Sequence, residues 1–122
     1  MTSEIRFSRN WNNKLSCDYF TTYRLKSERF HIGETFRIML GGKLLFYADV
    51  VEIQHTFLDH VSDMDTMIDA GMSASDFRQM LKTMYKSYDI DWSTRAISRI
   101  LFKRLPNQLD MMKKQTSEAH SA

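Results

Sequence analysis

The chain has one cysteine, one proline and four glycines in 122 residues, and each scarcity excludes something. Cys17 has no partner for an internal disulfide, so a reducing compartment is expected. No apolar run approaches the ~20 residues of a membrane-spanning helix. The polar opening Met1-Thr2-Ser3-Glu4-Ile5-Arg6 lacks a signal-peptide pattern. The expectation is a cytoplasmic protein that makes no use of a membrane. His31, His55, His60 and His120 have no metal-ligand spacing, so no metal and no cofactor is expected. There are no internal repeats and no low-complexity segment. The net charge of +2 is too small to name a partner by itself.

What is present is an ordinary globular composition, 43% hydrophobic and 26% charged. The length suggests a single domain, placed at residues 1–106, with a polar, flexible tail over 107–122. A chain this long buries enough surface for one core without disulfide or metal staples. Charge is unevenly spread. Met1 to Arg37 carries seven Lys/Arg against four Asp/Glu, and Gly41 to Asp76 carries one basic residue against seven acids. Phe77 to Lys114 returns to nine basic residues against three acids. Two basic flanks around an acidic middle fit a basic face opposite an acidic one, as nucleic-acid binders have.

Taken in order, Ile5-Arg6-Phe7-Ser8 alternates and predicts a first strand. Arg9 to Cys17 reads as a short helix with Trp11 and Leu15 on one face and Ser8 as its cap. Tyr19 to Leu25, rich in aromatic and β-branched residues, predicts a second strand. Gly33 turns the chain into a strand over Thr35 to Leu40, and Gly41-Gly42 closes a hairpin. Lys43 to about Phe57 forms the long return arm, with Leu44, Phe46, Ala48, Val50 and Ile53 inward and a bulge near Val50-Val51. Leu58, Val61, Met64 and Ile68 recur at helical spacing up to Gly71. Ser73 and Asp76 start a second helix with the stripe Phe77, Met80, Leu81 and Met84. Five of the nine methionines fall between Met64 and Met84 and read as core at helical spacing, and Cys17 reads as a small buried residue. Ala96 to Leu105 is the last strand, stopped by Pro106. The fold class is therefore α+β: a small mixed β-barrel of about five strands with a short N-terminal helix and a helical hairpin.

Recognition chemistry concentrates at Asp18 to Leu25 and its neighbours. Arg24 offers a planar fork for phosphate or a base edge. Trp11, Tyr19 and Tyr23 offer stacking faces. Ser8, Thr21 and Thr22 offer hydroxyls, and Arg9, Lys14, Lys26 and Arg29 offer positive charge. Structural roles compete: Phe20 and Tyr23 suit a core, and Arg24 could pair with Glu34 or Glu52. Thr22 is a weak nucleophile that needs a base, and Lys14 or Lys26 could reach it from the flanks. A nuclease would need His31 or His55 as acid and base.

The order of elements resembles the ASCH domains of the PUA-like fold, and distantly the small bacterial acetylcytidine amidohydrolases. The resemblance runs from Ile5 to Leu105. It rests on Ile5-Arg6-Phe7-Ser8-Arg9, on Thr21-Thr22-Tyr23-Arg24 where the amidohydrolases carry Lys-Thr-x-Thr-x-Arg, and on Phe30-His31-Ile32-Gly33-Glu34. It continues through Met72 to Phe77 with Met84-Tyr85, and ends on Ile100 to Leu105. It implies a cleft that binds RNA or a nucleotide-like small molecule through Ser8, Arg9, Trp11, Lys14, Tyr19, Thr21, Thr22, Arg24 and Lys26. It also implies an RNA-directed hydrolase alternative, ribonuclease or acetylcytidine amidohydrolase, with Thr22 as the catalytic residue. The family lysine falls at Tyr19 and the signature glycine at Cys17. The catalytic glutamate falls at about Ala70, with Asp69 one residue away and shorter. A third expectation is a protein partner for the helical hairpin Leu58 to Tyr88.

Overall fold

The computed structural model describes residues 3–106; the tail expected over 107–122 lies outside them. Five strands form one mixed sheet: β1 (Ser3–Phe7), β2 (Tyr19–Leu25), β3 (Thr35–Leu40), β4 (Lys43–Thr56) and β5 (Ile97–Arg104). Their spatial order is β1-β3-β4-β5-β2. β1 runs parallel to β3, and the other pairs are antiparallel.

The hairpin joining β3 to β4 follows from its turn residues. Gly41 and Gly42 take φ of 56° and 82°, the sign of both angles that a two-residue turn matched to strand twist requires. Further along β4 the pairing with β5 skips from Val50 to Glu52, so Val51 bulges out. A bulge increases local twist and bends the strand. The sheet accordingly curls into a half-barrel, in keeping with the small mixed barrel of about five strands expected. Its edges, β1 and β2, are not hydrogen-bonded to each other. Side chains close the seam instead. Phe7 meets Phe20 edge-on at 6.3 Å, and Arg24 Nη2 on β2 donates to the Arg6 carbonyl on β1 at 3.0 Å.

Two apolar clusters lie on opposite faces, as the two-residue period of strands dictates. The concave side holds Ile5, Phe20, Phe36, Ile38, Phe46 and Phe102 with their neighbours. Phe20 stacks on Phe102 at 5.4 Å. The other side holds Tyr23, Leu58, Val61, Phe77, Leu81 and Ile97. Each such side chain contributes roughly 1.5–3 kcal/mol by leaving water. Of the helices α1 (Asp63–Ala70) and α2 (Ala74–Met84), α2 supplies Phe77 and Leu81 to this second cluster, and α1 packs against α2 and the N-terminal turns. Ser62 caps α1 in a reciprocal box with Asp65, and Ser73 caps α2 through the Asp76 N–H.

Several expectations need correcting. The segment Arg9 to Cys17 is not one helix but 3-10 turns over Trp11–Ser16, broken at Asn12 and Asn13. The stripe Leu58, Val61, Met64, Ile68 is only half buried. Leu58 and Val61 precede α1 and are buried, whereas Met64 and Ile68 are 74% and 67% exposed. The face α1 turns inward is Thr66, Asp69 and Ala70. Met67 and Met84 are exposed too, as is Leu44 on β4. Cys17 is exposed rather than a small core residue.

Candidate functional site

The site begins with a kink. After β1 the chain passes Ser8 and Arg9, then places Asn12 and Asn13 at φ of 55° and 53°. Asparagine tolerates this left-handed region better than most residues. The Asn12 amide then donates to the carbonyls of Met67 and Ile68 at 3.2 and 3.1 Å. These belong to the last turn of α1, where the Met67 carbonyl also accepts from the Gly71 N–H at 2.9 Å. The kink thus ties the end of α1 to the N-terminal turns, and it sends Lys14 and Leu15 inward between exposed neighbours.

Lys14 Nζ lies 3.1 Å from Asp69 Oδ1, with side chains only 8% and 5% exposed. Thr21 donates its hydroxyl to the same oxygen at 2.7 Å. Burial pushes the Lys14 ammonium below its ordinary pKa; Asp69 works against that shift, and the Arg24 charge adds to it. The lysine is therefore closer to its neutral, nucleophilic or basic form than a surface lysine. Beside it, Thr22 is buried and its hydroxyl accepts from Arg24 Nε at 3.2 Å. The Arg24 guanidinium also sits 5.0 Å over the Phe7 ring. Its pKa is lowered, first by burial and then by Arg29, while Tyr85 and Asp69 offset part of this. An arginine nevertheless keeps its charge in a protein. Among the described residues Arg24 has no carboxylate within salt-bridge distance; its partners are Thr22 and a backbone carbonyl.

These groups line a cleft of about 500 Å³ between β2, the N-terminal turns and α2. Phe7, Trp11, Phe77, Met80 and Met84 supply apolar wall. Arg9 stands 5.4 Å over the Trp11 ring. Apolar walls with a few convergent polar groups are the usual construction of a small-molecule site. Arg24 and Lys14 can donate, Asp69 can accept, and Thr22 can do both.

A scan against protein-family models finds none that matches, and a search of curated proteins returns no match.

Of the residues expected at the site, Ser8, Arg9, Trp11, Lys14, Thr22 and Arg24 all line this cleft. Thr21 stands behind it and positions Asp69. Tyr19 does not line it; it is 53% exposed on the outer edge, with Lys103 5.9 Å from its ring. Lys26 is exposed beyond the end of β2. Tyr23 is buried and packs edge-on against Phe77 at 5.1 Å. Neither His31 nor His55 reaches the cleft. His55 Nδ1 is 2.8 Å from Ser98 Oγ, in a separate recess of about 210 Å³ that also contains His60, Asp65 and Arg99. Among the described residues no cluster of three His, Cys, Asp or Glu could hold a metal ion.

Sequence reasoning set Asp69 aside as one position off and too short, and it missed the cleft walls from α2. The signal for Asp69 is an acid on the helix face opposite Met64 and Ile68. The signal for the burial of Lys14 is the Asn12-Asn13 pair before it, since adjacent asparagines permit a left-handed break in a helical pattern.

Proposed function

We propose that the chain is a small PUA-like domain of the ASCH kind whose cleft binds a nucleotide-like molecule or an unpaired base of RNA. One observation carries this reading: a ring-sized, apolar-walled cleft is lined by Arg24, Lys14, Asp69 and Thr22. A flat heterocycle offers π faces to such walls and donor and acceptor edges to such groups. The volume suits one small ligand rather than a continuous RNA groove, so RNA would present a single splayed base. Titration of nucleosides, nucleotides and short RNAs, followed by Trp11 fluorescence with Trp92 replaced by Phe, tests it. Arg24→Ala should weaken binding about tenfold or more, and salt should weaken it further. Binding that is indifferent to Arg24→Ala sinks the proposal.

A second reading, amide hydrolysis, is favoured by the amine, hydroxyl and carboxylate that line the same cleft. Lys14 occupies the role expected of a lysine at Tyr19, and Asp69 that of a glutamate at Ala70. In this reading neutral Lys14 takes the Thr22 proton as the hydroxyl oxygen attacks the amide carbonyl. Lys14 then delivers that proton to the departing amine, and water cleaves the acyl-threonine ester. Asp69 orients Lys14. Acetylcytidine should yield cytidine and acetate, and Lys14→Met or Thr22→Ala should abolish the reaction. A blank with purified protein across pH removes this reading and leaves the binding one.

A further inference from the structure

A second recess of about 510 Å³ adjoins the cleft and shares Arg6 and Arg24 with it; Ser3, Glu4 and Arg29 complete its lining. Three guanidinium groups surround it. Glu4 is its only carboxylate, and both Glu4 oxygens are occupied: Oε1 by Arg37, and Oε2 by Arg6 at 3.1 Å. With Arg37 included, four arginines against one glutamate leave a local surplus of three positive charges.

The two arginines that define the inner wall are oriented by neutral groups. Arg24 is held by the Thr22 hydroxyl and the Arg6 carbonyl. Arg29 Nη1 reaches the Glu4 carbonyl at 3.4 Å, and its guanidinium lies 4.8 Å from the Phe30 ring centroid and 5.8 Å from that of Phe36. Among the described residues neither has an acidic partner within 4.0 Å. Buried charge is normally compensated by an opposite charge. Here Arg24 is partly buried, carries a pKa lowered by that burial and further by Arg29, and has only neutral acceptors. Tying the β1–β2 seam takes one carbonyl bond, and the only other side-chain groups at the guanidinium are the Thr22 and Tyr85 hydroxyls, neither of which carries a charge at neutral pH. Two oriented forks with no counter-anion, at the rim of a base-sized cleft, match the bidentate geometry of a phosphate.

We propose that this recess is a phosphate subsite, and that the cleft's ligand is a phosphorylated nucleoside rather than a free one. This rests on the cleft reading above. The base lies in the cleft, and the phosphate lies between Arg24 and Arg29, with Arg6 free to turn from Glu4 toward it. Arg6 is 82% exposed and its pairing with Glu4 is therefore weak and exchangeable.

The test compares the four ribonucleosides with their 5′-monophosphates by calorimetry at low salt, with orthophosphate alone as a separate probe. A dinucleotide without terminal phosphate distinguishes a backbone diester from a terminal monoester. At least one phosphorylated form should bind about tenfold or more tightly than its nucleoside. That ratio should fall toward one in Arg29→Gln and Arg6→Gln, both exposed positions whose folding is checked by circular dichroism. Orthophosphate binding that is lost in Arg29→Gln also supports the subsite. Nucleoside binding with no preference for phosphate, or a ratio unchanged by Arg29→Gln, overturns the subsite and leaves the cleft reading standing. Failure of orthophosphate and of every nucleoside and nucleotide to bind overturns both.

Discussion

Lys14 is a cation in a place water barely reaches, and its cost and its use are the same fact. Removing it alone would leave Asp69 buried with only the Thr21 hydroxyl for company. Lys14→Met should therefore destabilise the fold by about 3 kcal/mol in urea unfolding. Replacing the three polar partners together, Lys14→Met with Thr21→Val and Asp69→Leu, should restore most of that loss, because no buried polar atom is then left unpaired. If the triple variant is no more stable than Lys14→Met, the trio is there for the fold and not for a ligand. The pH dependence carries a sign as well. The folded-state pKa of Lys14 lies below its ordinary 10.5, so between the two values the unfolded chain binds more protons. Stability should rise with pH across that window and level off above about 10.5. Tyr23, whose pKa is raised by burial, works in the opposite direction at high pH. The difference between wild type and Lys14→Met cancels it, and that difference should grow as pH rises. A flat difference would mean the amine is not desolvated.

Among the elements, the strands were legible in the sequence and the helix faces were not. β2 and β3 begin and end where alternation and turn residues place them. The Gly41-Gly42 hairpin and the irregularity at Val51 are also local signals, written in adjacent residues. α1 misleads because periodicity assumes that the apolar stripe faces in. Here the helix is rotated so that Asp69 faces in, and Met64 and Ile68 face out. A local rule is broken where the site needs a carboxylate. Lys14 was named among the site residues, but its burial was hidden for a related reason: a regular helix over Arg9 to Cys17 gives no cause to bury a lysine, and the break at Asn12 and Asn13 does. This orientation has measurable consequences. Met64→Gln with Ile68→Gln should change stability by under about 0.5 kcal/mol, as substitutions at open surface do. Asn12→Ala, which frees the Ile68 carbonyl and leaves that of Met67 with Gly71 alone, should cost about 1–2 kcal/mol. The reverse ranking would mean that α1 docks through its apolar face.

The whole molecule is a curled sheet with its open seam beside the cleft. The sheet sets the distance between β1 and β2, the N-terminal turns fill the end of the gap, and α2 forms the far wall. Lys14 and Asp69 are fifty-five positions apart and meet only because Asn12 ties the two segments. No pattern within a short window could announce that meeting, whereas the stretch from Tyr19 to Arg24 announces itself by composition.

Arg24 joins the two sheet edges and also lines both recesses. Its hold on the Arg6 carbonyl and its hold on any bound anion therefore draw on one guanidinium. Reciprocity then applies: whatever the breathing of the seam does to affinity, occupancy must do to the breathing of the seam, by the same factor. A ligand that fixes Arg24 in its present rotamer should slow hydrogen exchange along β1. One that pulls Arg24 away from the carbonyl should quicken it. Exchange along β1 would in either case report on whether the recess is occupied.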